Sequence, residues 1–148
     1  MGDLIDDVIV TPLEIILEDN GSVMHALNNS ELVNNNFGEA YFSSVNYRNI
    51  KAWKCHLRMT SNIIVPIGEI RFVLLDMHND SKSGQKFFEI FLSKSNYKRL
   101  TIPAGIWFGF QGVSKNLNLL LNIADIPHDP DEVRRKKIDE IKYDWSIK

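Results

Sequence analysis

The chain has 148 residues, 44% hydrophobic and 24% charged, which suits a soluble globular protein with room for a real core. Its net charge of -2 gives no basis for a nucleic-acid partner or an anionic membrane surface. The single cysteine, Cys55, excludes an internal disulfide framework, and no apolar run reaches the length that spans a bilayer.

The N-terminus, Met1-Gly2-Asp3-Leu4-Ile5-Asp6-Asp7, is acidic and lacks the basic start of a signal peptide, so the cytoplasm is the expected compartment. Residues 8–16 are apolar and β-branched and run into Glu18-Asp19-Asn20-Gly21, a turn signal. Strands are expected next at 22–27 and 39–45. Asparagine clusters at Asn28-Asn29 and Asn34-Asn35-Asn36 mark loops, because Asn tolerates left-handed turns and competes for backbone hydrogen bonds. Residues 50–59 alternate, which places Ile50, Ala52, Lys54, His56 and Arg58 on one face. Two strands at 62–67 and 69–76 hinge at Pro66-Ile67-Gly68, and others follow at 86–92, 98–102, 107–113 and 117–124. His78, within Asp76-Met77-His78-Asn79-Asp80, reads as a surface turn. Only 129–142 has helical character, with Asp129 as cap and Pro130 at the first helical position. Its basic run, Arg134-Arg135-Lys136-Lys137, is flanked by acids and reads as a solvated face. Short strands broken by Gly, Pro and Asn imply an all-β sandwich or barrel, one domain over 1–148, with a short C-terminal helical segment.

His56 is the titratable group of most interest. An imidazole lodged among strands can take a proton from carbon beside a carbonyl; the ordinary alternative is a histidine satisfied within a pocket wall. Lys54 and Arg58 share its expected face, and two cations with an imidazole are costly inside a barrel unless an anion meets them. If that face points outward, the same residues are a wet strand surface. Trp53, Trp107, Phe108 and Phe110 could stack a base or sugar ring, or fill the core. Arg48, Lys51 and Arg71 are candidates for a diphosphate, or exposed strand charges. Glu39 and Tyr41 share a strand face, where the phenol could serve as acid partner to the histidine. His25 and His128 are expected to take no catalytic part. No Gly-rich phosphate loop, nucleophile elbow or zinc spacing is present.

Several of these segments carry a resemblance. Glu18-Asp19-Asn20-Gly21, the strand from Trp53 to Leu57, and the stretch from Gly68 to Asp76 contribute to it. So do Ile102-Pro103-Ala104-Gly105-Ile106-Trp107-Phe108-Gly109-Phe110 and the closing Tyr143-Asp144-Trp145. The chain resembles the RmlC-like cupins, the group of dTDP-4-dehydrorhamnose 3,5-epimerase. The resemblance implies a jelly-roll homodimer that binds a nucleotide-linked 4-keto sugar, with a histidine base and a tyrosine acid on opposite faces of the sugar ring. The base matches at His56. The family's turn arginine falls on Asn20, its cationic enolate stabiliser on Asn62 and its acid tyrosine on Leu121, and the aspartate partner of the histidine would lie beyond Lys148. The positions at which metal-binding cupins hold their ion read Lys54, His56, Asn62 and Phe108, a set unable to hold a divalent cation, so neither metal nor cofactor is expected. The implied function is epimerisation or isomerisation of such a sugar in cell-surface polysaccharide synthesis. His56 would be the base and Tyr41 the acid, with Lys54, Arg58 and Asn62 on the carbonyl or phosphate. The alternative is a cupin that binds a sugar nucleotide or carbohydrate without catalysis.

Overall fold

The computed structural model describes residues 5–32, 36–77 and 86–147. The turn expected at His78, the Asn34-Asn35 loop signal and the first four residues lie outside the described residues. The strands, in chain order, are β1 (Ile9–Pro12), β2 (Ile15–Glu18), β3 (Gly21–Met24), β4 (Glu39–Ser44), β5 (Ile50–His56) and β6 (Ser61–Ile67). They continue with β7 (Glu69–Asp76), β8 (Lys86–Ser93), β9 (Lys98–Ile102), β10 (Trp107–Gly112), β11 (Leu119–Ala124) and β12 (Val133–Arg135). One sheet runs β1-β9-β6-β11-β4, the other β12-β5-β10-β7-β8, and β2-β3 is a separate hairpin. The two sheets stack as a jelly-roll β-sandwich. No helix among the described residues is long and apolar enough to cross a membrane.

Burial explains why β7 reads as an unbroken apolar run. Phe72 and Leu74 point between the sheets, where they meet Val65, Leu100, Phe108 and Phe110. Val73 and Leu75 point the other way and meet Trp53, Cys55 and Trp107, a second cluster covered by Ile141 and Trp145 of the C-terminal segment. A strand buried on both faces has no polar alternation to show. Each such side chain contributes about 1.5–3 kcal/mol.

Strands β7 and β9 keep the bounds expected from sequence. The expected strand at 8–16 divides, because β1 pairs with β9 whereas β2 turns away to pair with β3. Gly68, the expected hinge, has φ +80, and a Cβ there would lie 2.3 Å from the Leu117 carbonyl oxygen.

The helix expected over 129–142 is a correction. Asp129 does cap, its carboxylate accepting from the Asp131 N–H at 3.0 Å, and Pro130 opens the turn. That turn is a single 3-10 turn, Pro130–Glu132, after which the chain extends as β12 and ends in a second turn, Ile138–Glu140. The edge of β5 offers unpaired backbone groups there. The Trp53 N–H bonds the Lys136 carbonyl and the Lys136 N–H bonds the Trp53 carbonyl, each at 3.0 Å. Arg134 and Arg135 supply no apolar stripe that would favour a helix over this ladder.

Candidate active site

The site is organised by one irregularity in β5. Opposite it on β10, Trp107 faces Cys55 and Phe108 faces Lys54, but Phe110 faces Lys51. Gly109 alone is therefore matched by both Ala52 and Trp53, a β-bulge. Glycine suits the place, since a Cβ on Gly109 would sit 2.6 Å from that of Ala52. The bulge resets the alternation. Lys51, Lys54 and His56 face inward with Phe108 and Phe110, while Trp53 and Cys55 join the outer cluster, with Ile50 and Ala52 packed against it. The expected common face of Ile50, Ala52, Lys54, His56 and Arg58 is corrected accordingly.

A cavity opens between the sheets where β4, the edge of one, faces β5 and β12, the edge of the other. It has two lobes, of about 360 Å³ and about 340 Å³, that share Tyr41, Lys54 and Arg135. The first adds Ser43, Lys51, Phe108 and Lys136; the second adds Glu39, His56 and His128.

His56 is 8% exposed and stacks on Phe108, with 6.1 Å between ring centroids. Its Nδ1 lies 2.5 Å from Glu132 Oε1. A carboxylate only accepts, so Nδ1 carries the hydrogen and Nε2 carries the lone pair. Nε2 is buried and has no hydrogen-bond partner among the described residues. Burial holds the imidazole below its usual pKa; the hydrogen bond and charge of Glu132 pull it back up, though not fully, and Lys54 and Arg135 push it down again. Burial acts on the Glu132 carboxyl in the opposite direction and raises its pKa. Its hydrogen bonds from His56 and from the Met59 and Arg58 N–H groups outweigh that and leave the carboxyl below the usual range. The pair is thus a neutral imidazole, oriented by a carboxylate, with a basic nitrogen available.

Lys54 has its amine 5.5 Å from the centroid of Phe108. Desolvation lowers its pKa, and Arg135 and Lys51 lower it further. Lys51 is tethered by the Ser44 carbonyl at 2.7 Å. On β4, Tyr41 accepts a hydrogen bond from Asn122 Nδ2 at 3.0 Å. Cations thus dominate the first lobe.

The other sequence candidates lie elsewhere. Arg58, beyond the end of β5, has an exposed side chain paired with Asp129 at 2.7 Å. Asn62 faces away from the cavity: its amide donates to the Ile123 carbonyl and its oxygen accepts from Thr101. The neighbouring Ile63 is the β6 residue that faces inward. Trp53 and Trp107 have their rings in the outer cluster, with Trp53 Nε1 donating to the Ile138 carbonyl at 3.3 Å, and of the two Trp53 also borders the first lobe. Arg48 is exposed in the β4–β5 connection, over the Tyr47 ring. Arg71 lies on the outer face and ties down the C-terminal segment through Glu89 and the Asp144 and Ser146 carbonyls. Asn20 is in the exposed β2–β3 turn, and Leu121 lies opposite Phe42 and Ile64, its neighbour Leu120 being the inward residue. His25 is remote, whereas His128 reaches the second lobe.

Sequence reasoning missed Glu132, Arg135 and Asn122. The histidine's carboxylate partner was expected beyond the chain's end, yet it stands in the turn before β12. The one local signal was Pro130-Asp131-Glu132 itself, which puts an acid at the exit of a capped turn. The basic run is likewise corrected, because Arg135 faces Lys54 across the β5–β12 ladder and lines the cavity.

Comparison with known proteins agrees with this architecture. The family described as dTDP-4-dehydrorhamnose 3,5-epimerase matches residues 4–148. The spore coat polysaccharide biosynthesis protein SpsL of Bacillus subtilis (strain 168) is 24% identical over 147 residues, covering 97% of each chain. The crystal structure of a dTDP sugar isomerase from Desulfovibrio desulfuricans G20 superimposes with a TM-score of 0.86 at 33% identity, over 95% of this chain and 91% of that one. A dTDP-6-deoxy-D-glucose-3,5-epimerase from Legionella pneumophila Philadelphia 1, solved with dTDP-4-keto-L-rhamnose, shares the fold at 16% identity and a TM-score of 0.77, over 91% and 75% of the two chains. With its match spanning nearly all of its length, the chain belongs to the dTDP-4-dehydrorhamnose 3,5-epimerase family.

Proposed function

We propose that this protein epimerises or isomerises a nucleotide-linked 4-keto sugar destined for a cell-surface polysaccharide. The observation that carries the reading is His56, whose Nδ1 is committed to Glu132 while the buried Nε2 is without a partner among the described residues, on a ring that lines the same cavity as Lys54. Nε2 takes the proton from the carbon beside the keto group, and the C–H electron pair passes into an enolate. Lys54 faces the developing oxygen charge, the role that Asn62 cannot fill from the far side of β6. One preorganised donor of this kind is worth about 3–4 kcal/mol. Tyr41, on the opposing sheet, returns a proton from the other face. Lys51 and Arg135 hold the diphosphate, and Lys54, opposite Arg135, adds its charge to theirs. These steps use side chains alone and call on no cofactor. The family names and the relatives' sugar-nucleotide ligands support the substrate class. A homodimer in the cytoplasm completes the proposal, and rests on the family resemblance.

Proton exchange followed by NMR tests it. The protein is incubated in deuterated water with nucleotide-linked 4-keto-6-deoxy sugars, beside His56→Asn. Deuterium entering next to the keto group in the parent only is the expected result, and it identifies the carbon. Binding without exchange in the parent would replace the enzyme by a sugar-nucleotide-binding cupin.

A further inference from the structure

Asn122 is a polar residue in an apolar place. It is 3% exposed on the inner face of β11, where Ile63, Phe108 and Leu120 share a recess of about 30 Å³ with it, Tyr41 and Lys54. In the β11–β4 ladder it stands directly opposite Tyr41, and its Nδ2 donates to the phenol oxygen at 3.0 Å. Its Oδ1 is buried with no partner among the described residues. A polar amide costs free energy to bury among apolar neighbours, and a leucine of similar size would fill the place with no polar group to satisfy. Local rules broken in this way are expected where a site requires it.

The consequence lies in the direction of the phenol hydrogen. A phenol oxygen has two favoured hydrogen-bonding directions in the ring plane, one for its own hydrogen and one for an accepted bond. Asn122 fills the accepting direction. The Tyr41 O–H is thereby turned away from β11 and toward the cavity that it shares with His56 and Lys54. A donor held on the oxygen also steadies the charge that develops as the proton leaves. The recess beside Asn122 holds little more than one water, too small for a sugar, so the amide acts through Tyr41 and not on the substrate.

We propose that Asn122 is a positioning residue that holds Tyr41 as the proton donor of the site, across the cavity from His56. The inference rests on the acid–base reading above. In the step it serves, His56 Nε2 takes the substrate proton, and the resulting enolate carbon accepts the Tyr41 proton from the opposite side. The phenolate left behind keeps the Asn122 hydrogen bond until solvent reprotonates it and His56 releases its proton.

The test separates inversion from exchange. Wash-in of deuterium needs only His56, which can return a solvent deuteron to the face it deprotonated; inversion needs the donor opposite. Two variants are measured, Asn122→Leu and the isosteric Asn122→Asp, whose ionised carboxylate accepts and so draws the phenol hydrogen away from the cavity. In both, inversion is expected to fall about tenfold while wash-in changes by less than about twofold. The melting temperature of Asn122→Leu is expected to be unchanged or raised, and the aspartate variant keeps the comparison informative if the leucine variant folds poorly. An unchanged ratio of inversion to wash-in in a folded variant would overturn the role of Asn122 and leave His56 as base untouched. No wash-in by the parent protein would remove the acid–base reading and this inference together.

Discussion

Lys54 and Arg135 stand directly opposite each other in the β5–β12 register, two cations on one cavity-facing pair of an antiparallel ladder. Like charges so placed oppose pairing, and burial of Lys54 adds to the cost. An anion bound between them removes the conflict, which is why the arrangement suits a diphosphate better than an empty barrel.

Lys54→Met tests that relationship from both sides. Removing the amine is expected to leave the unliganded protein as stable or more stable, because a desolvated cation beside Arg135 and Lys51 is lost. Affinity for a nucleoside diphosphate is expected to drop about tenfold, equivalent to about 1.4 kcal/mol. Thermal shift and calorimetry with nucleoside diphosphates read both quantities. A destabilised variant with undiminished affinity would mean that Lys54 is structural.

The pH dependence follows from His56. Burial, the largest influence, depresses its pKa below 6.5, so the basic nitrogen remains available on the acid side of that value. Wash-in of deuterium is expected to hold its plateau as pH falls through 6.5 and to decline only below it. Stability shares the sign. A depressed histidine pKa contributes stability that is present above the unfolded value and lost as pH falls, and the lowered Glu132 pKa acts in the same direction nearer its ordinary 4.5. A pH–rate profile with its acid limb at or above 6.5 would contradict the assignment.

Glu132→Gln is expected to cost both activity and stability. The carboxylate accepts from His56 and from the Arg58 and Met59 N–H groups, and the amide can replace only part of that acceptance. Loss of the hydrogen-bonded charge is expected to cost about 1–3 kcal/mol, read from denaturant midpoints. Exchange is expected to slow by at least about tenfold, since nothing then fixes the imidazole tautomer. Slowed exchange at full stability would assign Glu132 to orientation alone.

The C-terminal segment is held by a separate device, and Arg71 is its centre. Its guanidinium pairs with Glu89 at 2.7 Å and lies 5.3 Å from the centroid of the Tyr143 ring, whose hydroxyl donates to the same Glu89 carboxylate. Burial, then Glu89, pushes the Tyr143 phenol up to about 12. A raised phenol pKa contributes stability that is intact below 10 and lost as pH rises toward about 12, so Trp145 fluorescence is expected to report release of the segment in that window. Arg71→Ala is expected to destabilise by about 3 kcal/mol while leaving sugar-nucleotide affinity in place. Weakened affinity at full stability would return Arg71 to the substrate.

The candidate site was legible in part. His56 stands out as an imidazole in an alternating strand, and Tyr41 and Glu39 share a face as period-two spacing requires. Arg58 and Asn62 were misplaced for different reasons. Arg58 lies past the end of β5, where alternation no longer says where a side chain points. Asn62 is one residue out of phase with Ile63, and counting from a family pattern cannot detect a shift of one.

Local features were enough to determine most of the strands and their turns, though not the division of 8–16 into β1 and β2, nor β12. The apolar stretch Phe72-Val73-Leu74-Leu75 marks β7, Asn20-Gly21 turns the first hairpin, and Gly68 must take the left-handed conformation where β6 ends. Tertiary structure alone decided which side chains meet. The bulge opposite Gly109 turns Lys51 and Lys54 to the same side, and nothing in β5 announces it, because a bulge is a mismatch between two strands and not a property of one. Glu132 reaches His56 across 76 positions of sequence. It does so only because the chain after Pro130 adds a strand to the edge of β5 and does not coil into a helix, a choice set by that edge's open backbone groups.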